Sequence, residues 1–127
     1  MANGFQQRLI SKSGYRRTPT GLALDIRLPW YRSLPLSTVE IGGLRVDGRE
    51  IPPAQLALEV NGKRFPAMAL GDLIDEWWYV LDSAYLHVET PGLAGETHEI
   101  DLTLNLFPPY IPGLTWVTRS QQTLRAA

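Results

Sequence analysis

From Gly21 the chain alternates, with Leu22, Leu24, Ile26 and Leu28 on one parity and Ala23, Asp25 and Arg27 on the other. That is the period of a half-buried β-strand. Pro29 ends the run. The segment that follows, Pro29-Trp30-Tyr31-Arg32-Ser33-Leu34-Pro35, is framed by two prolines that each restrict the residue before them, which predicts a stiff aromatic loop. Alternation returns at Val39 and Ile41. Gly42-Gly43 then shifts the apolar positions by one, so that Leu44 and Val46 keep the same face. An extra residue at glycine is the mark of a β-bulge. Asp47-Gly48 predicts a hairpin turn toward Glu50-Ile51, a run that Pro52-Pro53 ends. Asn61-Gly62 predicts a second turn, between the strand carrying Leu56, Leu58 and Val60 and the returning Arg64-Phe65.

Between Gly71 and Glu76 the pattern is briefly helical with Asp72 as N-cap, too short to be more than a connector. Trp77-Trp78-Tyr79-Val80-Leu81 places large apolar groups on both parities. Such a strand is either central or covered on one face by something outside the domain. Leu86 and Val88 alternate with Tyr85, His87 and Glu89, and Pro91 to Glu96 reads as a loop. The cleanest strand sets Ile100, Leu102, Leu104 and Leu106 against Glu99, Asp101, Thr103 and Asn105. It runs into a second stiff aromatic loop, Phe107-Pro108-Pro109-Tyr110-Ile111-Pro112-Gly113. Beyond Trp116-Val117 the polar stretch 119–127 reads as a frayed tail.

About seven to eight short strands with turn signals between them and minimal helix predict an all-β fold. The expected architecture is a single-domain antiparallel β-sandwich, or a squat barrel. Residues 1–20 are expected to pack on or beside the sandwich, 21–117 to form it, and 118–127 to be a polar C-terminal tail. The 127-residue length suits one core. With 44% hydrophobic and 20% charged residues the composition is that of a folding globular chain.

Net charge is −1, with basic and acidic residues interspersed, so no broad field would draw nucleic acid or an anionic membrane. Cysteine is absent, which removes disulfides, thiolate nucleophiles and Cys-ligated metals together and fits the cytoplasm. The N-terminus lacks an apolar leader and no run approaches the length of a membrane span, so the expectation is a soluble, unexported chain.

Candidate chemistry is thin. His87 falls on a polar parity, where a solvated histidine is expected. His98 shares the inward parity of Ile100, at the mouth of the core, and is expected to cap the strand end. Two lone histidines do not make a metal ligand set. Asp75, Glu76 and Asp82 flank the tryptophans, but a glycosidase needs two carboxyls about 5–10 Å apart across a cleft. Adjacent Asp75 and Glu76 diverge on any regular backbone. No nucleophile elbow and no phosphate-binding glycine loop are present, so no catalytic, cofactor-binding or metal residue is assigned.

Aromatic residues are the informative class. Trp30, Tyr31, Trp77, Trp78, Tyr79, Phe107, Tyr110 and Trp116 fall at loops or strand ends, where such rings either fill the core or meet a partner or a sugar. So small a domain is not expected to internalise both faces of the Trp77-Trp78 strand. Prolines reduce the entropy lost when a loop docks, so the two proline-framed loops are expected at the surface.

The run Arg27-Leu28-Pro29-Trp30-Tyr31-Arg32-Ser33-Leu34-Pro35-Leu36-Ser37 resembles the small, β subunit of bacterial C-glycoside deglycosidases. The likeness extends to Val46-Asp47-Gly48, Trp77-Trp78, Gly95-Glu96-Thr97-His98-Glu99-Ile100 and Pro108-Pro109-Tyr110, over roughly Gly4 to Gly113. The resemblance implies a β-sandwich bound to a larger α subunit similar to sugar-isomerase TIM barrels. That subunit would carry a divalent metal, for which the resemblance points to manganese, and the acid–base residues. The complex would cleave the carbon–carbon bond between a 3-oxo-sugar and an aromatic aglycone, as in the catabolism of flavonoid C-glycosides. The keto group acidifies the neighbouring C–H, so a base removes that proton while an acid protonates the departing aryl carbon.

On this reading the chain is a non-catalytic subunit of a carbon–carbon lyase. Its expected partner interface comprises Trp30, Tyr31, Arg32, Ser33, Trp77, Trp78, Pro108, Pro109, Tyr110, Ile111 and Pro112. The alternatives are a stand-alone carbohydrate- or aryl-glycoside-binding module and a small metal enzyme using His87 and His98.

Overall fold

The computed structural model describes residues 9–91 and 93–126, and of residues 12–14 the backbone only. The sequence runs through β1 (Ile10–Thr18), β2 (Gly21–Arg27), β3 (Leu34–Pro35), β4 (Val39–Val46), β5 (Arg49–Glu50), β6 (Leu56–Val60), β7 (Lys63–Pro66), β8 (Trp77–Trp78), β9 (Ser83–Glu89), β10 (Thr97–Leu106) and β11 (Trp116–Arg125). Short 3-10 turns at Leu36–Thr38, Pro53–Gln55 and Ala67–Asp72 are each entered from an extended proline: Pro35, Pro52 and Pro66.

The architecture is an all-β sandwich. A five-stranded sheet in the order β1-β2-β9-β6-β7 faces a four-stranded sheet in the order β11-β10-β4-β5, and β3-β8 form a small third sheet. Pairing between named strands is antiparallel throughout the described residues. The core is made by the alternating positions. Leu22, Leu24, Ile26, Leu58, Leu86 and Val88 of one sheet meet Leu44, Ile100, Leu102, Leu104 and Leu106 of the other, all buried. Burial of these side chains, at about 1.5–3 kcal/mol each, is the main driving force for the two sheets to stack.

Turn chemistry places the strands as the dipeptides require. Asp47 and Gly48 have φ of 54° and 80°, Asn61 and Gly62 have 56° and 75°, the left-handed pairs of two-residue hairpins. Across from β10, Leu104 partners Ile41 and Thr103 partners Gly43, so Gly42 is the extra residue of a bulge and Leu44 stays on the core side.

Four expectations are corrected. The stretch expected as a tail, 118–127, is strand as far as Arg125: β11 pairs with β10 along its whole length, from Leu106↔Trp116 to Thr97↔Arg125, so the sandwich extends beyond 117; residue 127 lies outside the described residues. Its inward positions include Thr118 and Ser120, both buried, and small hydroxyl residues there conceal the period that Leu124 continues. At the other terminus β1 is an edge strand of the five-stranded sheet, so the sandwich also begins before 21; residues 1–8 lie outside the described residues.

The run Trp77 to Leu81 is neither long nor central. Only Trp77 and Trp78 pair, with Pro35 and Leu34, and a turn closes from the Asp82 N–H to the Tyr79 carbonyl, 2.9 Å. Asp72 ends a helical turn rather than starting one, because Pro66 fixes the entry six residues earlier. Among the described residues no helix is long and apolar enough to cross a membrane.

Candidate functional site

The loops after β2, before β9 and between β10 and β11 meet at one end of the sandwich. Leu28, Trp30, Leu34 and Leu36 are buried and anchor the first loop, leaving Tyr31 and Arg32 outward. The Trp30 ring packs edge-on against Trp116 at 5.4 Å and lies 5.0 Å from Tyr31. Its indole N–H donates to the hydroxyl of Tyr110, and the Arg32 guanidinium sits 5.2 Å from the centroid of the Tyr110 ring. Two loops some eighty residues apart are thus locked by one buried tryptophan.

The second loop is rigid for its own reasons. Successive turns close from the Ile111 N–H to the Pro108 carbonyl (3.1 Å) and from the Leu114 N–H to the Ile111 carbonyl (3.2 Å), and Gly113 takes the positive φ that ends them. The Phe107 N–H reaches back to the Thr38 carbonyl at 2.9 Å. Ser33 ties in a third loop, its Oγ accepting from the Val80 N–H at 2.9 Å, while the Arg27 guanidinium donates to the Leu81 carbonyl at 2.7 Å.

The expected interface residues divide. Tyr31 is 59% exposed and Tyr110 44%; Arg32, Trp77, Pro109, Ile111 and Pro112 also face outward, and Ser33 is half-buried. Trp30, Trp78 and Pro108 are buried, which corrects their expected place on the surface. Trp30 joins the core cluster and packs on Trp116, and Trp78 donates its indole N–H to the Asp82 carbonyl. The Trp77-Trp78 pair therefore splits, one ring out and one in. Tyr79 is exposed beside the first loop, and so is Leu81, which the strand-like pattern of that run conceals.

This end has more hydroxyl and ring surface than charge. The hydrogen bond between Tyr31 and Tyr110 holds the proton on Tyr31 and raises its pKa above the usual phenol value, with burial and the neighbouring phenol adding to the rise and Arg32 opposing it.

The histidines lie elsewhere and apart. His87 is buried on the outer face of the five-stranded sheet with Nε2 2.8 Å from Glu59 Oε1, so it is paired rather than solvated as expected. His98, on the other sheet, has Nδ1 2.6 Å from Asp47 Oδ2 at the opposite end, in the strand-capping place its parity indicates. Glu76 is engaged by Lys63 at 2.7 Å. Among the described residues no three His, Asp or Glu side chains converge on a possible metal position.

The chain as a whole is similar to known proteins. The family model for C-glycoside deglycosidase beta subunit matches residues 2–110. The chain is 38% identical over 104 residues to a C-glycoside deglycosidase beta subunit of Microbacterium trichothecenolyticum, covering 82% of this chain and 79% of that one. It is 39% identical over 109 residues to a 3'-dehydrocarminate deglycosidase beta subunit of a Microbacterium species, covering 85% and 82%. A C-glycoside deglycosidase beta subunit of Arthrobacter globiformis is 39% identical over 90 residues, covering 70% and 69%.

Proposed function

The chain belongs to the C-glycoside deglycosidase beta subunit family, and on that premise we propose that it is the non-catalytic small subunit of a C-glycoside-cleaving lyase. Its aromatic end docks on a larger α subunit of TIM-barrel type, which does the bond cleavage on a 3-oxo-C-glycoside. One observation carries the docking: Tyr31, Arg32, Tyr110 and Ile111 stand outward on loops whose inner side is fixed by Trp30. Rings held this way lose little conformational entropy on association, and aromatic and arginine side chains are the usual energetic anchors of a contact.

The reading places the divalent metal and the acid–base steps in the larger subunit, and routes no chemical step through this chain. What the chain would supply is a folded wall against which the larger subunit is stabilised, over a contact of about 1,000 Å² or more. Co-expression with a sugar-isomerase-like α subunit tests this by gel filtration and by activity on a 3-oxo-C-glycoside. The expected result is one complex whose activity requires both chains. A β chain that elutes alone, with activity retained by the α chain, would overturn the reading; so would direct binding of an aryl glycoside to the isolated β chain with no effect of the partner.

A further inference from the structure

The two proline-framed loops, residues 28–36 and 107–115, contain a single charged side chain, Arg32. It is exposed, and among the described residues no carboxylate is paired with it. Elsewhere in the fold Arg119 is held by two bonds to Asp101 at 2.9 and 2.7 Å, Arg17 by the Gly95 carbonyl and Arg27 by the Leu81 carbonyl. Arg32 instead lies over the Tyr110 ring, a contact that engages the face of the guanidinium rather than its N–H groups.

Tyr110 sharpens the arrangement. Its oxygen accepts the Trp30 indole N–H, so its own O–H remains a donor beside the guanidinium. A partner that covers this end removes water from a cation that has no counter-charge in either proline-framed loop and makes no ion pair with Asp82 of the third loop. Burying an unpaired guanidinium opposes association strongly, so a partner that binds here has to bring the negative charge itself. A carboxylate accepts two parallel N–H bonds from the planar fork and can take a further one from a phenol.

We propose that Arg32, seated on Tyr110, is the contact through which this end recognises an acidic side chain on the surface of the larger subunit. The proposal rests on the docking reading above and names the chemistry of the partner's matching group. It also gives the contact a direction: charge reversal at this position disfavours the complex more than truncation does.

The test uses the co-expressed two-subunit complex, with dissociation constants measured from about 0.1 M to about 1 M salt. Arg32→Ala is expected to weaken assembly roughly 100-fold and Arg32→Glu more. Arg32→Lys, which keeps the charge but loses the fork, is expected to fall between wild type and Arg32→Ala. Salt should weaken the wild-type complex more than the Arg32→Ala complex. Thermal unfolding of each variant should match wild type, because the side chain is exposed. Tyr31→Ala and Ile111→Asp report on the docking reading itself. If they break assembly while Arg32→Glu does not, the acidic-partner inference fails and the docking reading stands. If neither they nor Arg32→Glu affects assembly, both fail. Unchanged assembly with a raised KM in Arg32→Ala also overturns the inference, and assigns the guanidinium to an anionic group of the substrate.

Discussion

The two ends of the sandwich are built from different kinds of residue and use them differently. At one end several polar groups pair inside the chain. Asp47 accepts from the Glu99 N–H at 2.9 Å and contacts His98 at 2.6 Å. The Tyr15 hydroxyl donates to the Glu96 carbonyl at 2.8 Å, and the Ala126 N–H reaches that same carbonyl at 2.8 Å. Tyr15 is buried, 5.5 Å from the His98 ring, and a short parallel bridge from Tyr15 to Ala126 closes one side of the sandwich. At the other end Trp30 and Trp116 are used internally, while Tyr31, Trp77, Tyr79, Leu81, Tyr110 and Ile111 are left over. A closed end stabilises the fold. An end with surplus rings on a rigid base is organised for something outside it.

Substitutions can break this contrast, and the largest effect is expected inside the aromatic end itself. Trp78→Ala removes a fully buried ring and should cost about 3–5 kcal/mol in urea unfolding. Its neighbour Trp77→Ala should change stability by less than about 0.5 kcal/mol while weakening the two-subunit complex; equal loss of stability in both would erase the distinction between inner and outer tryptophan. At the closed end, a Cβ at Gly21 would run into the Val88 carbonyl and approach the Thr90 N to 2.7 Å. Gly21→Ala should therefore cost about 3 kcal/mol, the upper range of overpacking, with assembly of the surviving folded protein unchanged.

Tyr31→Ala is expected to weaken the complex about tenfold, near 1.4 kcal/mol, without moving the unfolding midpoint. The smallest effect belongs to Asp47. Its carboxyl is held below the ordinary value of 3.8, first by the hydrogen bond from His98 and then by the Glu99 N–H, with burial opposing them. A folded pKa below the unfolded one gives stability that is complete above the unfolded value and is lost as pH falls through the folded one. Asp47→Asn should cost about 1 kcal/mol near neutrality, and the difference from wild type should shrink in acid. A difference independent of pH would show that the carboxylate charge contributes nothing at this end.

Much of this was legible along the chain because the interactions are local. The period of two in Leu22 to Leu28 and in Ile100 to Leu106 assigns faces through the pleat alone, and Asp47-Gly48 and Asn61-Gly62 assign turns through backbone dihedrals that few residues adopt. The missed elements were those whose signal is carried by a neighbour. β11 looked like a tail because Thr118 and Ser120 occupy inward positions that β10 makes available. The Trp77 to Leu81 run looked like a strand because nothing local shows that it pairs with only Leu34 and Pro35. His87 looked solvated because its partner Glu59 lies on the adjacent strand β6.

The interface residues show the same division. By itself the sequence determined that two stiff loops carry aromatic rings and that one of them carries the lone cation Arg32, since composition and proline positions are properties of the string. Only the tertiary structure decided that the loops touch, that Trp30 is spent in joining them, and that Arg32 comes to rest on Tyr110. Those outcomes depend on how two sheets stack, and the distance between residues 32 and 110 is set by the packed core beneath them rather than by any short stretch of chain.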